Sequence, residues 1–207
     1  MKKVILFGDS ITDMGRDRND QYSLGVGYPL VIGNKLAKIP NPKCFILNKG
    51  ISGDRVVDLY ARIKRDVWNE KPDYLFILIG VNDVWHEIDS QNGVDIKRFE
   101  KVYRMLIEDT LNVLNNLKII LFEPFILKGE VTKNAYDRFL EVKEYAKVVR
   151  KIAKDYNLGF ISLQDKFDEA VKKANVEEYA PDGVHPALAG ATLIADAWMD
   201  YYKKEID

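Results

Sequence analysis

Val4-Ile5-Leu6-Phe7 is an unbroken apolar run that passes directly into Gly8-Asp9-Ser10. Four further runs share its form, at 45–47, 74–79, 119–122 and 160–161, and none alternates as a strand with one wet face would. Continuous hydrophobicity over so few residues is what a parallel strand covered on both faces requires. Between the runs, apolar residues recur at helical spacing: Val56, Leu59, Tyr60, Ile63 and Val67, then Phe99, Val102, Tyr103, Leu106 and Ile107, then Val142, Tyr145, Ala146, Val149, Ile152 and Tyr156. Residues 29–38, with Pro29 in the first turn, and 187–203 read as the first and last helices. This alternation of strand and helix predicts a three-layer α/β fold around a five-stranded parallel sheet.

The length of 207 residues suits one domain spanning 1–207, since such a chain builds one substantial core and hardly two. With 31 Lys and Arg against 32 Asp and Glu, the net charge is -1, which gives no bulk attraction to phosphate backbones or anionic lipid. Nucleic acid and membrane surfaces are therefore not expected partners. Cys44 is the single cysteine and has no intrachain disulfide partner, so a reducing compartment, the cytoplasm, is expected. The apolar run at 4–7 is shorter than the roughly 7–15 residues of a secretory core. The longest run, around 74–81, is far below the roughly 20 residues of a membrane-spanning helix.

In open parallel sheets, ligands bind beyond the carboxyl ends of the strands. Here those ends read Gly8-Asp9-Ser10, Asn48-Lys49-Gly50-Ile51-Ser52-Gly53, Gly80-Val81-Asn82-Asp83 and Glu123-Pro124-Phe125. Two long connections, 85–95 and 125–135, leave the same edge and are expected to be lids or substrate walls. Only His86 and His185 are available as imidazole bases, and no paired-histidine metal spacing exists, so no metal is expected. His185 stands in Pro181-Asp182-Gly183-Val184-His185-Pro186, where the Pro-Asp-Gly turn can fold Asp182 back onto the imidazole. A carboxylate on Nδ1 leaves Nε2 free to accept a proton, as a serine-activating base requires. Ser10 is the nucleophile candidate at the sheet edge, outside any G-x-S-x-G elbow because Thr12 replaces the second glycine. Gly53 offers a backbone N–H that substrate can approach closely, and Asn82 a neutral amide, both suited to an oxyanion.

Taken in order, Gly8-Asp9-Ser10, Gly53, Gly80-x-Asn82-Asp83 and Asp182-x-x-His185 resemble the four sequence blocks of the SGNH hydrolase superfamily, the GDSL esterases and lipases. The resemblance implies a flavodoxin-like fold with Ser10 as nucleophile and Asp182 and His185 completing a triad. It also implies an oxyanion hole formed by the Ser10 N–H, the Gly53 N–H and the Asn82 side chain. The signature leucine is Ile11 here, a volume-conserving change. The stretches 8–16, 48–54 and 79–85 further resemble bacterial carbohydrate acetylesterases, including xylan acetylesterases.

These readings converge on a serine esterase that removes short acyl groups, acetyl above all, from a small-molecule or oligosaccharide ester without a cofactor. A short-chain lipid or thioester hydrolase would use the same machinery. A non-catalytic flavodoxin-like binding module is the alternative of another class, although the chain has no P-loop or G-x-G-x-x-G. Asp9 and Trp85 are candidate substrate contacts. Against this, Asp9, like Asp83, has the short carboxylate that turns use to accept backbone N–H groups, and Trp85 can pack rather than stack on a sugar. His86 is expected in a loop, and a homo-oligomer is left open.

Overall fold

The computed structural model describes residues 1–207. Five strands, β1 (Lys2–Gly8), β2 (Cys44–Gly50), β3 (Tyr74–Leu78), β4 (Lys118–Phe122) and β5 (Gly159–Ile161), form one parallel sheet in the order β2-β1-β3-β4-β5. This is the flavodoxin-like order. Helices α1 (Ser10–Asp13), α2 (Tyr28–Ala37), α3 (Val56–Ile63), α4 (Val81–Ser90) and α5 (Ile96–Val113) connect the first four strands. They are followed by α6 (Tyr136–Phe139), α7 (Val142–Asp155), α8 (Gln164–Ala170), α9 (Val176–Tyr179) and α10 (Leu188–Glu205). The chain steps one way from β1 to β2 and the other way from β2 through β5. Right-handed crossovers then place α2 on one face and α3, α5 and α7 on the other. The packing agrees: α10 lies along α2, and α5 contacts both α3 and α7.

The apolar runs of the three inner strands are buried on both faces, with Val4 to Phe7, Leu75 to Ile77 and Ile120 to Phe122 without exposed surface, while Phe45 and Phe160 on the edge strands are partly buried. Register levels the strand ends, since Gly8 pairs with both Gly50 and Leu78. Gly8 must lack a side chain, because a Cβ would lie 2.3 Å from the Leu78 carbonyl and 2.6 Å from Thr12 Oγ1. The polar residues after β1, β2 and β3 therefore gather at one edge. No helix is long and apolar enough to cross a membrane.

One connection differs from expectation. Most of 85–95 is not a loop, because α4 runs to Ser90 and places His86 on a helix, leaving only a short link into α5. Val81, Val84, Trp85 and Ile88 follow helical spacing, a pattern diluted by the polar residues between them. The 125–135 connection lacks regular structure until a 3₁₀ turn at Lys133–Ala135.

Candidate active site

Ser10 opens the single-turn α1, and its position is set by Asp9, whose Oδ1 accepts the Ile11 N–H at 2.9 Å as an N-cap. The turn ends in a left-handed Met14, which returns the chain towards α2. Across the edge, the Ser10 hydroxyl donates to His185 Nε2 at 2.7 Å, and His185 Nδ1–H donates to Asp182 Oδ2 at 2.6 Å. The other Asp182 oxygen, Oδ1, accepts the N–H groups of Val184 (2.8 Å) and His185 (2.7 Å). Both carboxylate oxygens are thus committed, one to the ring and one to the backbone that carries it. Gly183 supports this turn at φ +97°, a left-handed conformation that a Cβ would strain.

The electrostatics follow from these contacts. Burial would raise the Asp182 carboxyl, but hydrogen bonds from His185 and two backbone N–H groups outweigh it and hold the carboxyl below its ordinary value. The same Asp182 bond raises His185 above the ordinary 6.5 against the opposing effect of burial. The arrangement stabilises an imidazolium while leaving neutral Nε2 against a hydroxyl, so it can take a proton from Ser10 and return it. Half-buried Trp85, on the first turns of α4, sets its ring 5.9 Å from that of His185 and 5.8 Å from that of Phe139.

Asn82 stands in the first turn of α4 and donates one amide hydrogen to the Asp54 carbonyl at 3.0 Å. The second amide hydrogen has no protein partner. Gly53 has φ +86°, and nothing lies within 4 Å of where its Cβ would be, so the side of the glycine that would carry a side chain is open. Sequence reasoning missed what holds these residues. Arg62 of α3, 8% exposed, binds Asp54 Oδ2 and Asp66 Oδ2 at 2.6 Å each, the Lys49 carbonyl at 2.8 Å and the Gly8 carbonyl at 3.0 Å. Its guanidinium carbon also lies 4.3 Å from the centre of the Phe7 ring. One side chain therefore ties the ends of β1 and β2 to the residue beside Gly53. Its i,i+4 partner Asp66 was the only local signal, and such pairs are common on exposed helix faces.

Asp9 requires a correction. At 1% exposure its carboxylate reaches no substrate, so the contact expected of it does not fit; it caps α1 and leaves Oδ2 buried without a partner. Burial pushes Asp9 up to about 7. Asp83, fully buried and accepting the Val56 N–H, is pushed up to about 8, chiefly by burial. The turn role read for Asp83 matches this placement.

Residues 6–193 match the profile of the GDSL-like lipase/acylhydrolase family. The chain belongs to that family. It is 36% identical over 207 residues to an acetylxylan esterase of Geobacillus stearothermophilus, covering 96% of this chain and 92% of the relative. The crystal structure of Axe2, an acetylxylan esterase of that organism, superposes with a TM-score of 0.85 at 35% identity over 96% of this chain and 93% of Axe2. Axe2 structures described as catalytic mutants carry substitutions at a serine, an aspartate and a histidine. A Parabacteroides merdae structure described as a GDSL-like lipase reaches a TM-score of 0.89 at 37% identity, over 96% of this chain and 94% of that one. As a GDSL-like acylhydrolase, the protein is a carboxylic ester hydrolase with the α/β fold of SGNH hydrolases.

Proposed function

We propose that this GDSL-like acylhydrolase is a serine esterase that removes acetyl groups from a carbohydrate, with Ser10, His185 and Asp182 as its catalytic triad. The observation that carries this reading is the continuous hydrogen-bond chain from Ser10 Oγ through the imidazole to Asp182, with links of 2.7 and 2.6 Å. Ser10 Oγ attacks the ester carbonyl as its proton passes to His185 Nε2. The tetrahedral intermediate collapses, the C–O bond to the sugar breaks, and His185 Nε2–H protonates the departing alkoxide. A water molecule then gives its proton to His185 and attacks the acyl-enzyme, and acetate leaves as Ser10 recovers its hydrogen. Asp182 stays ionised and orients the ring throughout. The Ser10 N–H, the Gly53 N–H and the free amide hydrogen of Asn82 bind the oxyanion.

Acetyl and carbohydrate are the substrate class because the relatives named acetylxylan esterases match over nearly the whole chain. Trp85 supports the reading, since an aromatic ring against His185 can form an apolar wall for a small acyl group or stack on the sugar. The test is kcat/KM across C2 to C8 p-nitrophenyl esters and acetylated xylo-oligosaccharides, with Ser10→Ala as control. Acetyl esters are expected to be cut fastest. A rate rising steadily to C8 would assign a lipase, in which each buried CH₂ contributes about 0.8 kcal/mol. Because His185 must be neutral to act and its pKa is raised, kcat/KM is expected to fall on the acid side with a midpoint above 6.5. A profile flat through that region would remove His185 as the base.

A further inference from the structure

Within the connection at 125–135, which the sequence predicts as a lid or substrate wall, residues 125–132 are bonded along their length to the turn that carries Asp182 and His185. Leu127 N–H donates to the Gly183 carbonyl (2.9 Å) and Glu130 N–H to the Pro181 carbonyl (2.8 Å). The N–H groups of Val131 and Thr132 both donate to the Asp182 carbonyl at 3.2 Å. On its other side the connection is anchored to α8, where the Gln164 side chain accepts the Ile126 N–H at 3.0 Å and donates to the Ile126 carbonyl at 3.1 Å. Phe125 also stacks on Phe167 with ring centres 4.0 Å apart. A segment bonded on both sides does not open as a lid; it is a strap between the body of the fold and the acid–base turn.

The strap takes its shape from Thr132, which has no exposed surface. Its hydroxyl donates to the Leu127 carbonyl at 2.7 Å and accepts the Gly129 N–H at 2.9 Å, closing the strap into a loop from within. Two glycines let this loop press on the turn. A Cβ on Gly129 would lie 2.1 Å from the Gly183 nitrogen, and one on Gly183 would lie 2.2 Å from Thr132 Oγ1. Contact this close leaves the turn no alternative seat without moving Thr132.

We propose that Thr132 is a positioning residue for ester hydrolysis, its buried hydroxyl shaping the strap that seats the Asp182–His185 turn against Ser10. This rests on the triad reading above. Thr132 touches no substrate and acts through the turn. Misplacement of reacting groups by an ångström costs up to about 10²-fold in rate, so Thr132→Val, which keeps the shape and removes the hydroxyl, is expected to lower kcat about 10- to 100-fold while KM stays within about twofold. Asp182 and Asp9 are the charged groups bearing on His185, and a loosened Asp182 bond lets the ring pKa relax towards its ordinary value. The acid limb of kcat/KM should therefore move to lower pH in Thr132→Val and return in Thr132→Ser.

The experiment measures kcat, KM, the acid limb and Tm on acetyl esters for the wild type, Thr132→Val and Thr132→Ser, with fluorophosphonate labelling of Ser10 in the wild type. Failure of wild-type labelling would sink the triad reading itself. With labelling intact, unchanged kcat in Thr132→Val overturns the proposal. A lowered kcat with an unmoved acid limb, or a loss not rescued by serine, shows a merely structural role and also overturns it. If Thr132→Val does not fold, Thr132→Ala, which leaves space where the hydroxyl stood, carries the same expectations. If neither folds, Thr132 serves folding alone and the proposal falls.

Discussion

Ser10 stands two positions beyond Gly8, the end of β1, whereas Asp182 and His185 stand far along the chain from the end of β5, with α8 and α9 intervening. The serine turn is held by its immediate neighbours, through the Asp9 cap and the glycine that lets β1 meet β3, and beneath it Arg62 ties the strand ends together with buried charge. The Asp182–His185 turn has no strand to inherit a position from. Its internal geometry is local, because Asp182 closes onto His185 three residues later. The strap at 125–132 holds it through uncharged backbone hydrogen bonds, beside the burial of Val184 in the core. Strand ends supply position to a residue next to them, whereas this turn, remote from any strand, is held by another loop and by core packing.

The largest effect tests whether the two turns act as one site. Ser10→Ala and His185→Ala are each expected to lower kcat by about 10⁴-fold or more, with the double variant costing little beyond either. Multiplied losses, measured on one acetyl ester, would mean that the turns contribute independently. Next comes the charged knot on the serine side. Arg62→Met leaves Asp54 buried without its cation and Asp66 with Arg65 alone, and is expected to cost about 3–5 kcal/mol in urea unfolding. A loss below about 1 kcal/mol would show that the strand ends hold without buried charge, as the strap does.

The smallest effect is a pH dependence confined to the serine side. Burial raises Asp83 to about 8, so the native state keeps a proton that the unfolded chain releases near its ordinary 3.8. Stability therefore falls as pH rises through that interval, and the cost is complete above about 8. Asp83→Asn, which can still accept the Val56 N–H, is expected to raise Tm at pH 9 by at least about 2–4 °C and to leave Tm near the wild-type value at about pH 4, where the unfolded chain also keeps much of its proton. An equal gain at both pH values would assign the effect to packing rather than charge.

The five strands were legible because burial on both faces writes an unbroken apolar run, and the closure of Asp182 on His185 because a Pro-Asp-Gly turn followed by histidine is a local device. Helix α4 was missed because its apolar stripe is narrow, with Asn82, Asp83, His86 and Glu87 between the stripe residues. Arg62 was missed because a charged residue on a helix reads as solvated, and nothing local reports that Asp54 and two strand-end carbonyls converge on it. Thr132 left no signal at all, being one polar residue in an irregular connection.

By itself, the sequence determined the alternation of buried strands and amphipathic helices, the chemical types at the strand ends, and the closure of Asp182 onto His185. Each depends on residues within a few positions of one another, where backbone preference and periodicity act directly. The tertiary structure alone decided that Ser10 and His185 meet at 2.7 Å, that Arg62 is buried among carbonyls, and that 125–132 is a strap rather than a lid. Those outcomes depend on which distant backbone groups find one another once the sheet has brought the loops to a single edge. Hydrogen bonds between segments far apart in the chain leave no period or spacing to read.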